Sequence, residues 1–193
     1  MNPVIAYEKQ MYFPTKKEYL ISMITHEDTY LIWKYVYFLR REEAASNKVT
    51  RYYWRRRKND LGAKLGIIIY AGCCAKGLRI WHYGSTIISG DAQLGENCTF
   101  HGQACIGNDG SGTGAPVIGN NVDIGVGAKI IGGITIADNV RIGAGAVVTK
   151  SCLEEGATLV GIPAKVIKTK DNYRNPGLKM TGIFLCGEIP KLW

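Results

Sequence analysis

Only three side chains in this sequence are tuned by nature to exchange a proton near neutral pH: His26, His82 and His101. Two of them are related by a count. If Ile80, Ile88 and Leu94 open the three faces of one coil, Phe100 opens the first face again. His82 follows Ile80 by two places and His101 follows Phe100 by one, so both are expected to point outward from one face on adjacent coils. An imidazole in a cleft can serve as a general base, removing the proton of a hydroxyl as its oxygen attacks a carbonyl, with no acyl-enzyme. A backbone N–H beside that carbonyl would stabilise the oxyanion. Two histidines do not make the three-imidazole set of a catalytic zinc site, so no metal is expected. His26 lies at an expected helix start, outside the count.

The count rests on a period of six. Aliphatic or aromatic residues recur at Ile88, Leu94, Phe100 and Ile106, then at Ile118, Ile124, Ile130, Ile136, Ile142 and Val148. Four places after most of them stands a small or β-branched residue, such as Ala92, Cys98, Ala104, Ala128 or Ala146. A helix repeats near 3.6 residues and a strand near 2, so neither produces this pattern. It reads as a solenoid in which each hexapeptide supplies a short strand and a turn, and three complete a coil. Each coil buries little alone, so stacking makes the core. Pairs such as Glu96-Asn97, Asn120-Asn121 and Asp138-Asn139 provide the corners.

The period is broken twice. Ile80 and Ile88 are eight apart, and the two extra residues fall around His82-Tyr83-Gly84. Gly112 stands where an aliphatic residue belongs, within the run 107–115, which reads as an external loop over a neighbouring subunit's cleft. Irregularity set against a regular scaffold is where function concentrates.

The remaining chain divides by texture: a helical region over 1–65, the solenoid over 66–168 and a tail over 169–193. Helices are expected over Lys16 to Ile24, Asp28 to Ala45 and Lys48 to Leu65, with Thr25 or Asp28 capping the second. The third carries Arg51, Arg55, Arg56, Arg57 and Lys58 among Tyr52, Tyr53 and Trp54. Such a run suits a nucleic-acid or scaffold protein. The better account docks its aromatic residues on the solenoid end with the arginines in water, so no nucleic-acid partner is expected. The formal charge of +8 also suits a polyphosphate ligand. Six cysteines without CxxC spacing read as free thiols of a reducing compartment. No apolar run is long enough to span a bilayer, so a cytoplasmic location is expected.

These motifs resemble a known family. The whole pattern over 66–168 is similar to the hexapeptide-repeat acyltransferases, which implies a mainly β fold, a left-handed parallel β-helix, behind the helical segment. Gly77-Leu78-Arg79-Ile80-Trp81-His82-Tyr83-Gly84, Pro116 to Val122, Ile124 to Ile130 and Gly143 to Val148 resemble serine acetyltransferases, and Gly161-Ile162-Pro163-Ala164-Lys165 resembles the family's phosphate-proximal segment. The resemblance implies acetyl-CoA as donor, His82 as base and homotrimers with active sites between subunits. It also implies a pantetheine groove along Ala128, Ala146 and the backbone at Gly127 and Gly145, with Lys165 and Lys168 toward phosphate. The sequence departs from the family in three places. Trp81 stands where the family has Asp, Ile67 where an Asp would orient the base, and Gly114-Ala115 where an Arg-His pair holds serine. These departures point to a sugar hydroxyl of a cell-surface polysaccharide, as in short members of the family, with serine as the alternative acceptor. His101, Asp123, Trp81 and Tyr83 are then candidates to partner His82 or contact acceptor.

Overall fold

The computed structural model describes residues 2–112 and 114–168. Its solenoid begins with β1 (Ile67–Ile69) and β2 (Arg79–Ile80), with Cys74 bridged to Leu94 on the face between them. Three full coils follow: β3 (Thr86–Ile88), β4 (Gln93–Leu94) and β5 (Thr99–Phe100); β6 (Cys105–Gly107), β7 (Val117–Ile118) and β8 (Asp123–Ile124); β9 (Lys129–Ile131), β10 (Thr135–Ile136) and β11 (Arg141–Ile142). The last coil holds β12 (Val147–Val148) and β13 (Thr158–Gly161), on which β14 (Ala164–Lys168) folds back antiparallel. Like strands of successive coils pair in parallel, giving sheets ordered β1-β3-β6-β9-β12, β4-β7-β10 and β2-β5-β8-β11-β13-β14.

The six-residue period is the stacking register. Ile80 pairs with Phe100, Phe100 with Ile124 and Ile124 with Ile142, all turned into the core. The small residues Ala92, Ala104, Ala128 and Ala146 are equally buried, where side chains converge at the corners. Asn97, Asn121 and Asn139 take positive φ at the corner they share, and their side chains bond in a ladder from coil to coil. Asn is the side-chain-bearing residue that best tolerates this left-handed backbone and can also bond locally.

The helical region contains four helices among the described residues: α1 (Pro3–Tyr12), α2 (Lys16–Thr25), α3 (Asp28–Glu43) and α4 (Lys48–Leu65). The sequence reading missed α1, because Glu8 and Lys9 made its start look mixed. Its signals were nevertheless present: Asn2 caps the Val4 amide, Pro3 opens the first turn, and Ile5, Glu8 and Tyr12 share one buried face. The expected cap of α3 is also corrected. Glu27 occupies the cap position without a side-chain bond, and Thr25 closes α2 instead.

The basic helix α4 docks differently from expectation. Trp54 packs on Tyr37 and Phe38 of α3, not on the solenoid end, while Tyr52 and Tyr53 stay exposed. Its charges serve the same interface. Arg55 and Lys58 reach Glu42 at 2.7 and 2.9 Å, and Lys58, though buried, also donates to the Ile69 carbonyl at 2.8 Å. The helices and the solenoid share one continuous apolar core. No helix among the described residues is long and apolar enough to cross a membrane. The described cysteines form no disulfide, and burial pushes the Cys98 thiol up to about 12, which makes it a poor nucleophile. The tail expected over 169–193 lies outside the described residues.

Candidate active site

Strand alternation places Arg79 and Trp81 on the outer side of β2, flanking the inward Ile80. His82 then begins the enlarged corner, which is closed by Gly84 and Ser85 at positive φ. One coil further, Arg79 pairs with Thr99 and Ile80 with Phe100, so His101 stands above Trp81. The two histidines therefore lie on adjacent coils of one face. The chain at His82 abuts the next corner closely: a Cβ on Gly102 would lie 3.0 Å from the His82 carbonyl oxygen.

The side chains on this face form a continuous stack. The Arg79 guanidinium lies 4.1 Å from the centre of the Trp81 ring, a cation–π distance. Trp81 and the His101 imidazole are nearly parallel, 16° apart, with centroids at 6.4 Å. His101 Nε2 meets Asp123 Oδ1 at 2.7 Å, a charge-assisted distance. Asp123 comes from β8, whose register carries it one coil beyond Thr99. The hydrogen bond to Asp123 holds the His101 pKa above its ordinary value, against partial burial, which lowers it.

His101 and Asp123 therefore come together, but His101 does not partner His82 by a hydrogen bond. His82 is exposed and has no side-chain hydrogen bond among the described residues. Ile67 is turned into the core and supplies no carboxylate. Tyr83 is exposed beside His82. Arg79 was not singled out by the sequence reading, although its place two residues before Trp81 in a strand was a sufficient signal. His26 ends α2 in the left-handed conformation and stacks on Tyr30, apart from the site.

The expected donor groove is corrected in part. Ala128 and Ala146 are completely buried, so their side chains fill the core and cannot line an outer groove. Gly127 and Gly145 do lie at outer corners, at φ of 72° and 67°, and the Gly127 amide bonds to the Gly102 carbonyl. Gly127 and Gly145 stand in one column of this corner with Gln103, and Gly102 in the next with Val126 and Ala144, so the two later coils present little bulk there apart from Val126. Lys165 is exposed on β14, which also carries Lys168. The run from Asn108 to Pro116 joins β6 to β7, and its described residues are mostly exposed. Among the described residues no group of three or more His, Cys, Asp or Glu is placed to hold a metal.

Replacing Asp123 with Asn removes the charge that holds the His101 proton. Its pKa is then expected to fall toward the ordinary 6.5, read by following the imidazole in an NMR pH titration. Since the folded value is the raised one, the Asp123 contribution to stability is complete below the ordinary pKa. It is lost as pH rises through the raised value. An unchanged titration in Asp123→Asn would rule out the bond.

The chain is similar to proteins of known kind. Residues 115–150 match the family described as bacterial transferase hexapeptide, six repeats. A serine acetyltransferase of Helicobacter pylori is 41% identical over 109 residues, covering 55% of this chain and 63% of the relative. One from Buchnera aphidicola is 34% identical over 139 residues, covering 65% of this chain and 52% of the relative. The chain thus spans between about half and under two thirds of these relatives. The Neisseria gonorrhoeae serine acetyltransferase solved in complex with serine is 28% identical, with a TM-score of 0.55 over 72% of this chain and 56% of that one. The soybean serine acetyltransferase complexed with serine is 25% identical, with a TM-score of 0.63 over 72% and 58%. The solenoid is therefore the left-handed parallel β-helix expected from the sequence. Residues 115–150 thus carry the bacterial transferase hexapeptide repeat, and the chain is similar to serine acetyltransferases.

Proposed function

We propose that the protein is an acetyl-CoA-dependent O-acetyltransferase with His82 as general base. The observation that carries this is the exposed imidazole at the enlarged corner, near the corner glycines Gly127 and Gly145, on a solenoid similar to serine acetyltransferases. His82 accepts the acceptor's hydroxyl proton as the oxygen bonds to the thioester carbonyl carbon. It returns that proton to the departing thiolate as the carbon–sulfur bond breaks, so acetyl ester and free coenzyme A thiol leave and the imidazole is regenerated. The corner glycines Gly127 and Gly145 give the pantetheine arm its path, and Lys165 and Lys168 attract phosphate.

Serine is the acceptor that the relatives favour, and they give a polysaccharide acceptor no support. The site itself favours a second reading. The partly exposed His101 ring stands beside the Asp123 carboxylate at the end of the Arg79–Trp81 stack, and a sugar ring uses such a set by packing its C–H face and donating its hydroxyls. His101, Asp123, Trp81 and Tyr83 are the proposed acceptor contacts under either reading. A homotrimer with sites between subunits is supported by an outward apolar row, Ile68 beside Ile87, on the five-stranded sheet. A cytoplasmic location would give it access to acetyl-CoA.

Free-thiol release from acetyl-CoA, measured with L-serine, nucleotide sugars and oligosaccharides in parallel, tests the reading. Acceptor-dependent release with L-serine is the expected result. Release with sugars alone selects the second reading, and no release above hydrolysis with any acceptor would overturn both.

A further inference from the structure

The six-stranded sheet ends at β2, the strand that delivers Trp81 and His82, and among the described residues no coil precedes it on that face. An end strand normally presents unpaired amides. Here each successive amide from Gly77 to Trp81 has a partner. Arg79 and Trp81 donate to the next coil, at the Cys98 and Phe100 carbonyls, 3.0 and 2.8 Å away. The other three donate to α1. Gly77 and Leu78 share Glu8 Oε1 at 2.9 and 3.1 Å, and Ile80 donates to the Tyr12 hydroxyl at 2.8 Å. That hydroxyl in turn donates to the Leu78 carbonyl at 3.4 Å. Two side chains one helical turn apart on one face of α1 therefore take the place of a further strand.

The clamp is itself held rigid. Arg40 of α3 binds both Glu8 oxygens and donates to the Cys74 and Ala75 carbonyls at 2.8 and 2.7 Å, fixing helix and loop together. Tyr12 packs on Trp33, and its burial keeps the phenol above its ordinary pKa, so it remains a donor. Ile80 is two residues from His82 and inward-facing. Its amide is thus the last anchor on the outer side of the strand before the corner turns.

We propose that Tyr12 is a positioning residue for His82, with Glu8 and Arg40 holding the segment from which it acts; the inference rests on His82 being the base. Loss of the Tyr12 hydroxyl frees the Ile80 amide and lets the strand end shift, and misplacement of a reacting group by about 1 Å costs up to roughly 100-fold in rate. Donor affinity has no reason to change, because Gly127 and Gly145 lie on later coils.

Tyr12→Phe keeps the ring against Trp33 and removes only the hydroxyl. Tyr7→Phe is the control: it lies on the same helix and also loses one hydrogen bond, 2.9 Å to Asn97 Oδ1, but that bond does not reach β2. Both variants are assayed for kcat and for the KM of acetyl-CoA, and their histidine ring ¹⁵N signals are compared with those of the wild type. The expected result for Tyr12→Phe is a kcat lowered about tenfold, an acetyl-CoA KM unchanged and a displaced His82 signal. Tyr7→Phe is expected to match the wild type in all three. Equal losses in both variants, or a Tyr12→Phe protein with unchanged kcat and an unmoved His82 signal, would overturn the proposal. If the wild type turns over no acceptor, the acetyl-transfer reading fails, and the His82 signal alone still decides whether Tyr12 positions the ring.

Discussion

His82→Ala is expected to lower kcat/KM by about 100- to 10,000-fold, the usual contribution of a positioned general base. That corresponds to roughly 3 to 5 kcal/mol of transition-state stabilisation. The loss should appear in kcat, since the imidazole acts on the hydroxyl proton as the bond forms and has no part in holding the donor. His82 is exposed and makes no side-chain bond among the described residues, so the variant should fold with stability within about 0.5 kcal/mol of the wild type. This separates loss of chemistry from loss of structure, which is difficult for buried catalytic groups. Thiol release from acetyl-CoA is the assay. A variant retaining more than half of the wild-type rate would remove His82 from the mechanism and leave the Asp123-held imidazole of His101 as the group to examine.

Arg40→Met is expected to be the most damaging single change to the fold. Arg40 and Glu8 are 4% and 0% exposed, and their closest approach is 2.8 Å. A buried pair adds little net stability when intact, because desolvation offsets attraction, but removing one partner strands the other charge and costs about 3 to 5 kcal/mol. For a chain of this size that is a fall in Tm on the order of 10 °C. Met fills the volume, so the loss measures the stranded Glu8 carboxylate, the lost Glu43 ion pair and the two carbonyls, Cys74 and Ala75, left without donors. Adding Glu8→Gln removes the charge while keeping an acceptor for the Gly77 and Leu78 amides. The double variant should therefore melt above Arg40→Met alone. If it melts no higher, the stranded charge is not the cause.

Much of the site was legible because a β-helix converts sequence distance into spatial distance by a fixed rule. A six-residue step moves one face and three steps move one coil, so the pairing of Ile80 with Phe100, and with it the common face of His82 and His101, followed from counting. Even the two-residue excess at the corner did not disturb the count, since it is absorbed by the turn at Gly84 and Ser85. Ala128 and Ala146 were placed along the groove by the family resemblance, not by the count. They stand at the fourth place after an inward residue, where the corner points side chains into the core, while Gly127 and Gly145 beside them lie at the outer corner.

The helical region followed no such rule. Its helices were readable from local spacing, α1 excepted, but their docking was not. Tyr12 meets Ile80 across 68 positions and Arg40 meets Cys74 across 34, and no period links them. Trp54 was expected on the solenoid end and packs on Tyr37 and Phe38 of α3 instead, a contact no local spacing announces. By itself the sequence determined the solenoid, its register and the face on which two imidazoles stand, because those depend on a repeat that is local and periodic. Only the tertiary structure decided that His101 is held by Asp123 while His82 is not, and that α1 completes the end strand leading to it. Both depend on side chains meeting in three dimensions under the demand that buried polar groups find partners.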